Sequence, residues 1–400
     1  MRNNINSKNS TKDNCSNPIF RREALRLCGF GAVAAAGMLP VTSSSAGPRR
    51  TAPRTVVLDS RFAPLPNTLG EGVQEFVDAL QRRSRLKVSY ASPSFGTGIL
   101  NAVNAGQIDM GIDILVLQKS GIPALDDVLR LYGESIPFGP NVECYLEWLT
   151  HGGGLDLLKH IMVHEYGYHR CLEVVPVVAN AAQSAGMSKI DLTKENYSTG
   201  FLMRTFGFGQ QAMQRAYPQM SFIGAVGGSV ANIIAGFKGE LSGDNCPEGG
   251  LIFGTCELQA AEFVTPCIDS NLIYSAGIAA TGVQYYYTTP WQSPATISFL
   301  FYRTDRFSPS ELAAIRSSQI ANVRDSRQRL QKKNSACLRD LRVVYGQELR
   351  QLPAAVLADL EYGSHEILQE ESADNEDFAK VLNSLQKGFS SEWHFDKARR

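Results

Sequence analysis

Residues 86–112 read LKVSYASPSFGTGILNAVNAGQIDMGI. Leu86, Val88 and Tyr90 alternate with polar neighbours, as a half-buried strand does. Ile99 to Ala105 is a short helical segment ending at Gly106, and Ile108-Asp109-Met110-Gly111-Ile112 is a second strand. Upstream, Val56-Val57-Leu58 is another apolar run, and Val73, Phe76, Val77 and Leu80 recur at the spacing of one helix face. Strand, helix, strand, helix, strand at these intervals predicts an α/β fold with a parallel sheet and helical crossovers. Downstream, Leu172 to Val178 reads as a central strand, followed by a polar stretch from Asn180 to Ser188 that suits a site loop. Residues 189–270 repeat the texture on a smaller scale, with Phe201 to Arg204 as strand and Ala212 to Ala216 as helix, which predicts a second lobe. Thr296 to Tyr302 is a strong strand. Ser308-Pro309-Ser310-Glu311 then forms a capping box with proline at the first helical position. The helix it starts meets no glycine or proline before Gly346, and one that long suggests an element bridging two lobes.

The 400 residues carry 39 Lys plus Arg against 39 Asp plus Glu, with 44% hydrophobic residues, enough for two or three domain-sized units around a large core. Disordered, collagenous and coiled-coil classes are excluded by that composition. Balanced charge also argues against nucleic acid as a partner, since that role shows as a basic face or arm.

The amino-terminal segment reads as an export signal over residues 1–46. Arg21 and Arg22 precede Leu25, Leu27 to Val41 is free of charge, and Ser43-Ser44-Ser45-Ala46 offers a small-residue cleavage site near Ala46. Paired arginines favour the twin-arginine route, although Ala24 stands where a large apolar residue is usual. Removing this segment takes away six basic and two acidic residues, which leaves 33 against 37 and a net charge of −4. Residues 47–55, with Pro48 and Pro53 among Arg49, Arg50 and Arg54, read as a linker. Six cysteines remain: Cys144, Cys171, Cys246, Cys256, Cys267 and Cys337. Their connectivity is open from sequence alone; the most local pair, Cys246 with Cys256, brackets a glycine-rich turn and is expected to be bridged in an oxidising compartment.

Four short stretches in this order resemble the solute receptors of TRAP (tripartite ATP-independent periplasmic) transporters, in the branch for 2-oxo acids, lactate and related organic acids. They are Ile136-Pro137-Phe138-Gly139 with His151-Gly152-Gly153-Gly154, then Phe201-Leu202-Met203-Arg204-Thr205, then Ala260-Ala261-Glu262-Phe263-Val264-Thr265-Pro266, and finally Tyr285-Tyr286-Tyr287 leading to Pro290-Trp291-Gln292-Ser293-Pro294. The resemblance spans about residues 56–393. It implies a two-lobed periplasmic-binding-protein fold with hinge strands, in which residues 56–178 and 271–400 form lobe I and residues 179–270 form lobe II. It implies an organic-anion ligand, delivery to TRAP membrane subunits, and a form compatible with a homodimer.

The site residues implied are Arg204, Gln183, Glu262, Phe263 and Ser293. Arg204 falls on the family's arginine, and a guanidinium forks onto a carboxylate as a lysine does not. Gln183 keeps the family's spacing to it. Glu262 and Phe263 take the places of a Glu-Trp pair. In relatives a cation commonly bridges ligand and protein through a second glutamate in a Trp-His-Glu-Pro-Gly run; here the run is Trp291-Gln292-Ser293-Pro294-Ala295, and a neutral serine replaces that acid. Hard cations bind more weakly as carboxylates are lost, so no cofactor and no metal is expected. Residues 241–255 read as an insertion forming a surface loop.

A receptor that signals without transport is the nearest alternative. A metal-dependent enzyme is the other: His160 and His164 stand at i and i+4 with Glu165 adjacent, but the His-Glu-x-x-His order is absent, as are a nucleophile elbow and a phosphate loop. No catalytic residue is therefore assigned.

Overall fold

The computed structural model describes residues 53–62, 69–91, 95–134, 136–180, 185–223, 230–240, 257–263, 265–275 and 277–389. The export signal, Gln183, the Cys246–Cys256 pair and the 241–255 insertion lie outside the described residues. Eleven described strands form two sheets. They are β1 Arg54–Ser60, β2 Leu86–Ala91, β3 Met110–Asp113, β4 Leu172–Asn180, β5 Gly186–Ser188, β6 Leu202–Arg204, β7 Ser221–Ile223, β8 Ala260–Ala261, β9 Tyr285–Tyr287, β10 Thr296–Arg303 and β11 Glu348–Arg350.

The first sheet has the order β2-β1-β3-β10-β4. β1 pairs in parallel with β2 and β3, as the strand-helix-strand spacing predicts, and the helix Leu69–Arg83 packs Val73, Phe76, Val77 and Leu80 into the core beneath them. β10 departs from an all-parallel sheet: it inserts antiparallel between β3 and β4. The chain reaches β10 only after building most of the second sheet, so it returns from the opposite end. Sheet two runs β11-β9-β5-β8-β6-β7. β9 and β11, in the stretch expected with the first lobe, hydrogen-bond in this second sheet.

The long helix covers Pro309–Val343, 35 residues. Its start matches the sequence: the Ser308 side chain accepts from Glu311 N, and Glu311 accepts from Ser308 N at 2.7 Å. The helix is polar yet partly buried because it covers an exposed sheet edge. β4 is the last strand of its sheet, and such an edge leaves backbone groups to be satisfied. Gln319 donates to the Pro176 carbonyl, Asn322 Nδ2 donates to the Val177 carbonyl at 2.8 Å and the Gly72 carbonyl at 3.0 Å, and Ser326 Oγ accepts from Ala179 N at 3.3 Å. Gly72 lets the helix Leu69–Arg83 lie close to β4, since a Cβ there would sit 2.8 Å from Val178 Cγ1. Further along, Asn334 donates to Asn180 Oδ1 at 3.2 Å and accepts from Cys267 N at 3.4 Å, and Cys337 is disulfide-bonded to Cys267.

At the carboxyl end of β3, Asp113 is fully buried. Arg61 Nε reaches both its oxygens at 3.0 and 3.1 Å, and Ile114 N donates to it at 2.8 Å. Desolvation outweighs Arg61 and lifts its pKa from 3.8 to about 7. Native Asp113 then keeps its proton between about pH 4 and about pH 7, where the unfolded chain has released it. Stability therefore falls as pH rises through that window and levels off above it. We expect Asp113→Asn to flatten the dependence of Tm on pH between 4 and 7. An unchanged slope in thermal melts would contradict the assignment.

Candidate ligand-binding site

Arg204 ends β6 with its side chain almost fully buried. Parallel register sets Arg204 beside Ala261, so the next residue, Glu262, lies against the arginine; Glu262 N donates to the Arg204 carbonyl at 2.9 Å. Arg204 Nη1 in turn donates to the Glu262 carbonyl and lies 3.8 Å from Glu262 Oε2. The guanidinium carbon sits 4.5 Å from the Phe263 ring centre and 5.2 Å from that of Phe206, so two aromatic faces flank the charge. Burial pulls the Arg204 pKa down, and Glu262 and then Asp269 pull it back up. An arginine so placed stays charged while its attraction for an incoming anion is little screened by water.

Asp269, fully buried in the first turn of the helix Pro266–Ser275, accepts from the Tyr286 hydroxyl at 2.7 Å. The 290s loop closes the other side. Phe138 adopts a left-handed φ of 56°, held by its N–H to the Trp291 carbonyl at 2.7 Å, and its ring lies 5.7 Å from the Trp291 ring. Two motifs 150 residues apart in the chain thus meet here. Trp291 Nε1 is buried without a hydrogen-bond partner among the described residues.

The structure brings Arg204, Glu262 and Phe263 together. Ser293 is buried in the adjoining loop, where its hydroxyl donates to the Ala295 carbonyl at 3.0 Å. Gln292 was not singled out in the sequence, yet its Nε2 is 3.2 Å from Glu262 Oε2, and its Oε1 accepts from the Thr205 hydroxyl at 3.2 Å. One signal pointed to it. Gly209 stands inside the helix Gly207–Ala216, where glycine is disfavoured, and a Cβ there would fall 2.2 Å from Gln292 Cδ.

For the enzyme alternative, His160 and His164 are exposed, with rings 4.6 Å apart, at the junction of the helix Gly154–His160 and one π-helical turn. Among the described residues, His169, Cys171 and Asp305 are the one trio of metal-ligating side chains close together. Arg303 already fills it, donating to Asp305 at 2.6 Å and meeting His169 Nε2 at 3.1 Å. No described helix is long and apolar enough to cross a membrane.

Comparison with solved structures gives the architecture a match across nearly its whole length. A TRAP periplasmic solute-binding protein from Pseudoalteromonas atlantica, with bound sodium and pyruvate, superposes with a TM-score of 0.69 at 19% identity, covering 86% of this chain and 97% of that one. The fold is that of the TRAP solute-binding proteins. A second TRAP protein, from Colwellia psychrerythraea with bound calcium and pyruvate, gives 0.64 at 20% identity over 86% and 95% of the two chains. A third, from Bordetella bronchiseptica with calcium and picolinate, gives 0.67 at 16% over 87% and 95%, and is described as a dimer. By sequence, a monocarboxylate 2-oxoacid-binding periplasmic protein of Nostoc sp. is 27% identical over 205 residues, 51% of this chain. The match spans about half of that relative, 47% of its length. No family model matches the chain.

The TRAP proteins above hold sodium or calcium, so the cation is testable against this chain's donors. Glu262 Oε2 faces the N–H groups of Gln292 and Arg204, and position 293 brings a hydroxyl that is donating elsewhere. A hard divalent ion asks for several oxygen lone pairs, preferably charged. Among the described residues of this set, that leaves Glu262 as the one carboxylate, which fits a hard divalent ion poorly.

Proposed function

We propose that this protein is an exported, periplasmic receptor that captures a small monocarboxylate of the 2-oxo acid class and hands it to the membrane subunits of a TRAP transporter. The observation that carries the reading is Arg204, buried between Phe206 and Phe263 beside Glu262 in a fold whose relatives hold pyruvate. Arg204 is the anion anchor and Phe263 its apolar wall; Gln183 and Ser293 complete the set proposed to contact the ligand. One lobe is built on β1 to β4 and β10, the other on β5 to β9 and β11, so the stretch after residue 271 contributes to both. The acid stabilises the closed form through contacts to both lobes. Export through residues 1–46 places the receptor outside the cytoplasm, and the reading assigns no catalytic step.

Thermal-shift measurement with pyruvate, picolinate and pyroglutamate tests it. At a ligand concentration 100 times Kd, a specific acid should add about 2.7 kcal/mol of stability. No stabilisation by any monocarboxylate would refute the reading.

A further inference from the structure

A carboxylate oxygen accepts hydrogen bonds and donates none, so the amide group facing Glu262 Oε2 at 3.2 Å is the NH₂ of Gln292, and the Gln292 oxygen is the one facing Thr205. The amide is held in that place. It is 3% exposed, and residue 209 must lack a Cβ for it to fit, because a Cβ would lie 2.3 Å from Gln292 Cγ and 2.6 Å from its Oε1. Glu262 Oε2, with Arg204 Nη1 3.8 Å away, thus also receives the positive end of a fixed amide dipole. The serine at 293 adds no second carboxylate.

We propose that Gln292 is a built-in substitute for a bridging cation: its amide N–H holds the Glu262 carboxylate in position, so that the chain takes its acid without sodium or calcium. The amide N–H is uncharged and fixed in the chain, whereas a cation is charged and recruited from solution. This rests on the carboxylate-receptor reading, and the test separates the two.

Calcium is titrated by calorimetry into the full chain, stripped with chelator, in sodium-free buffer and without organic acid. The wild-type chain should show no site, whereas Gln292→Glu, which sets a second carboxylate beside Glu262, should bind one calcium per chain. Stoichiometric calcium binding by the wild type at micromolar levels, or none by a folded Gln292→Glu, overturns the proposal. Pyruvate is then titrated with and without calcium. Wild-type affinity should agree within twofold, and Gln292→Glu should bind at least tenfold more tightly with calcium. If Gln292→Glu does not fold, Gln292→Met removes the donor at similar length; its pyruvate affinity should drop at least tenfold regardless of calcium, and an unchanged affinity overturns the role. If pyruvate binds neither protein, the receptor reading fails for that acid, while the wild-type calcium titration still decides whether a cation site is present.

Discussion

Arg204→Lys should weaken binding of the carboxylate ligand by about 2 to 5 kcal/mol, a loss of roughly thirty-fold to several thousand-fold in affinity. The size follows from the environment. Arg204 is 8% exposed, so its charge acts through protein and two aromatic rings more than through water. Lysine would keep the charge but lose the planar fork and its stacking between Phe206 and Phe263. Its ammonium is also more strongly hydrated and costs more to bury. Calorimetric titration of the acid selected by thermal shift into both proteins measures the difference. Equal affinities would remove Arg204 from the site, whereas a collapse of the unliganded melt would assign it to folding instead.

Much of the first sheet is legible in the sequence because its elements are apolar runs or helices with a clear buried face. Val73, Phe76, Val77 and Leu80 bury as their spacing predicts, and the Ser308 to Glu311 capping box starts the long helix where expected. The insertion of β10 between β3 and β4 is not legible, since periodicity reports which residues are buried and not which neighbour or direction a strand takes. The second sheet is harder still. β5 to β9 are two or three residues each, too short to show alternation, and their pairing depends on contacts distant in the chain. The site divides in the same way. Arg204 and Glu262 lie in stretches whose order resembles a known receptor, and the β6–β8 register brings them together. Gln292 left no periodic trace in its loop; its meaning depends on Glu262, 30 residues away, and on the missing Cβ of Gly209.

Replacing both Cys267 and Cys337 by alanine should lower the unfolding free energy by about 2 to 4 kcal/mol. The two cysteines are 70 residues apart in sequence, and a crosslink over so long a segment removes considerable freedom from the unfolded chain, about 4 kcal/mol in the chain-entropy account. Cys267 lies in the first turn of the helix Pro266–Ser275, which also carries Asp269; Cys337 lies on the long helix one turn beyond Asn334. Asn334 already ties the Cys267 backbone to Asn180 at the end of β4, so the native geometry should survive loss of the covalent bond and the cost should fall mainly on the unfolded state. Urea titrations of the oxidised protein and the double-alanine variant give the value. A shift below about 1 kcal/mol would mean that the bridge adds little to what Asn334 already supplies. A larger loss accompanied by weaker ligand binding would mean that the bond also fixes the helix bearing Asp269, and with it the charge behind Arg204.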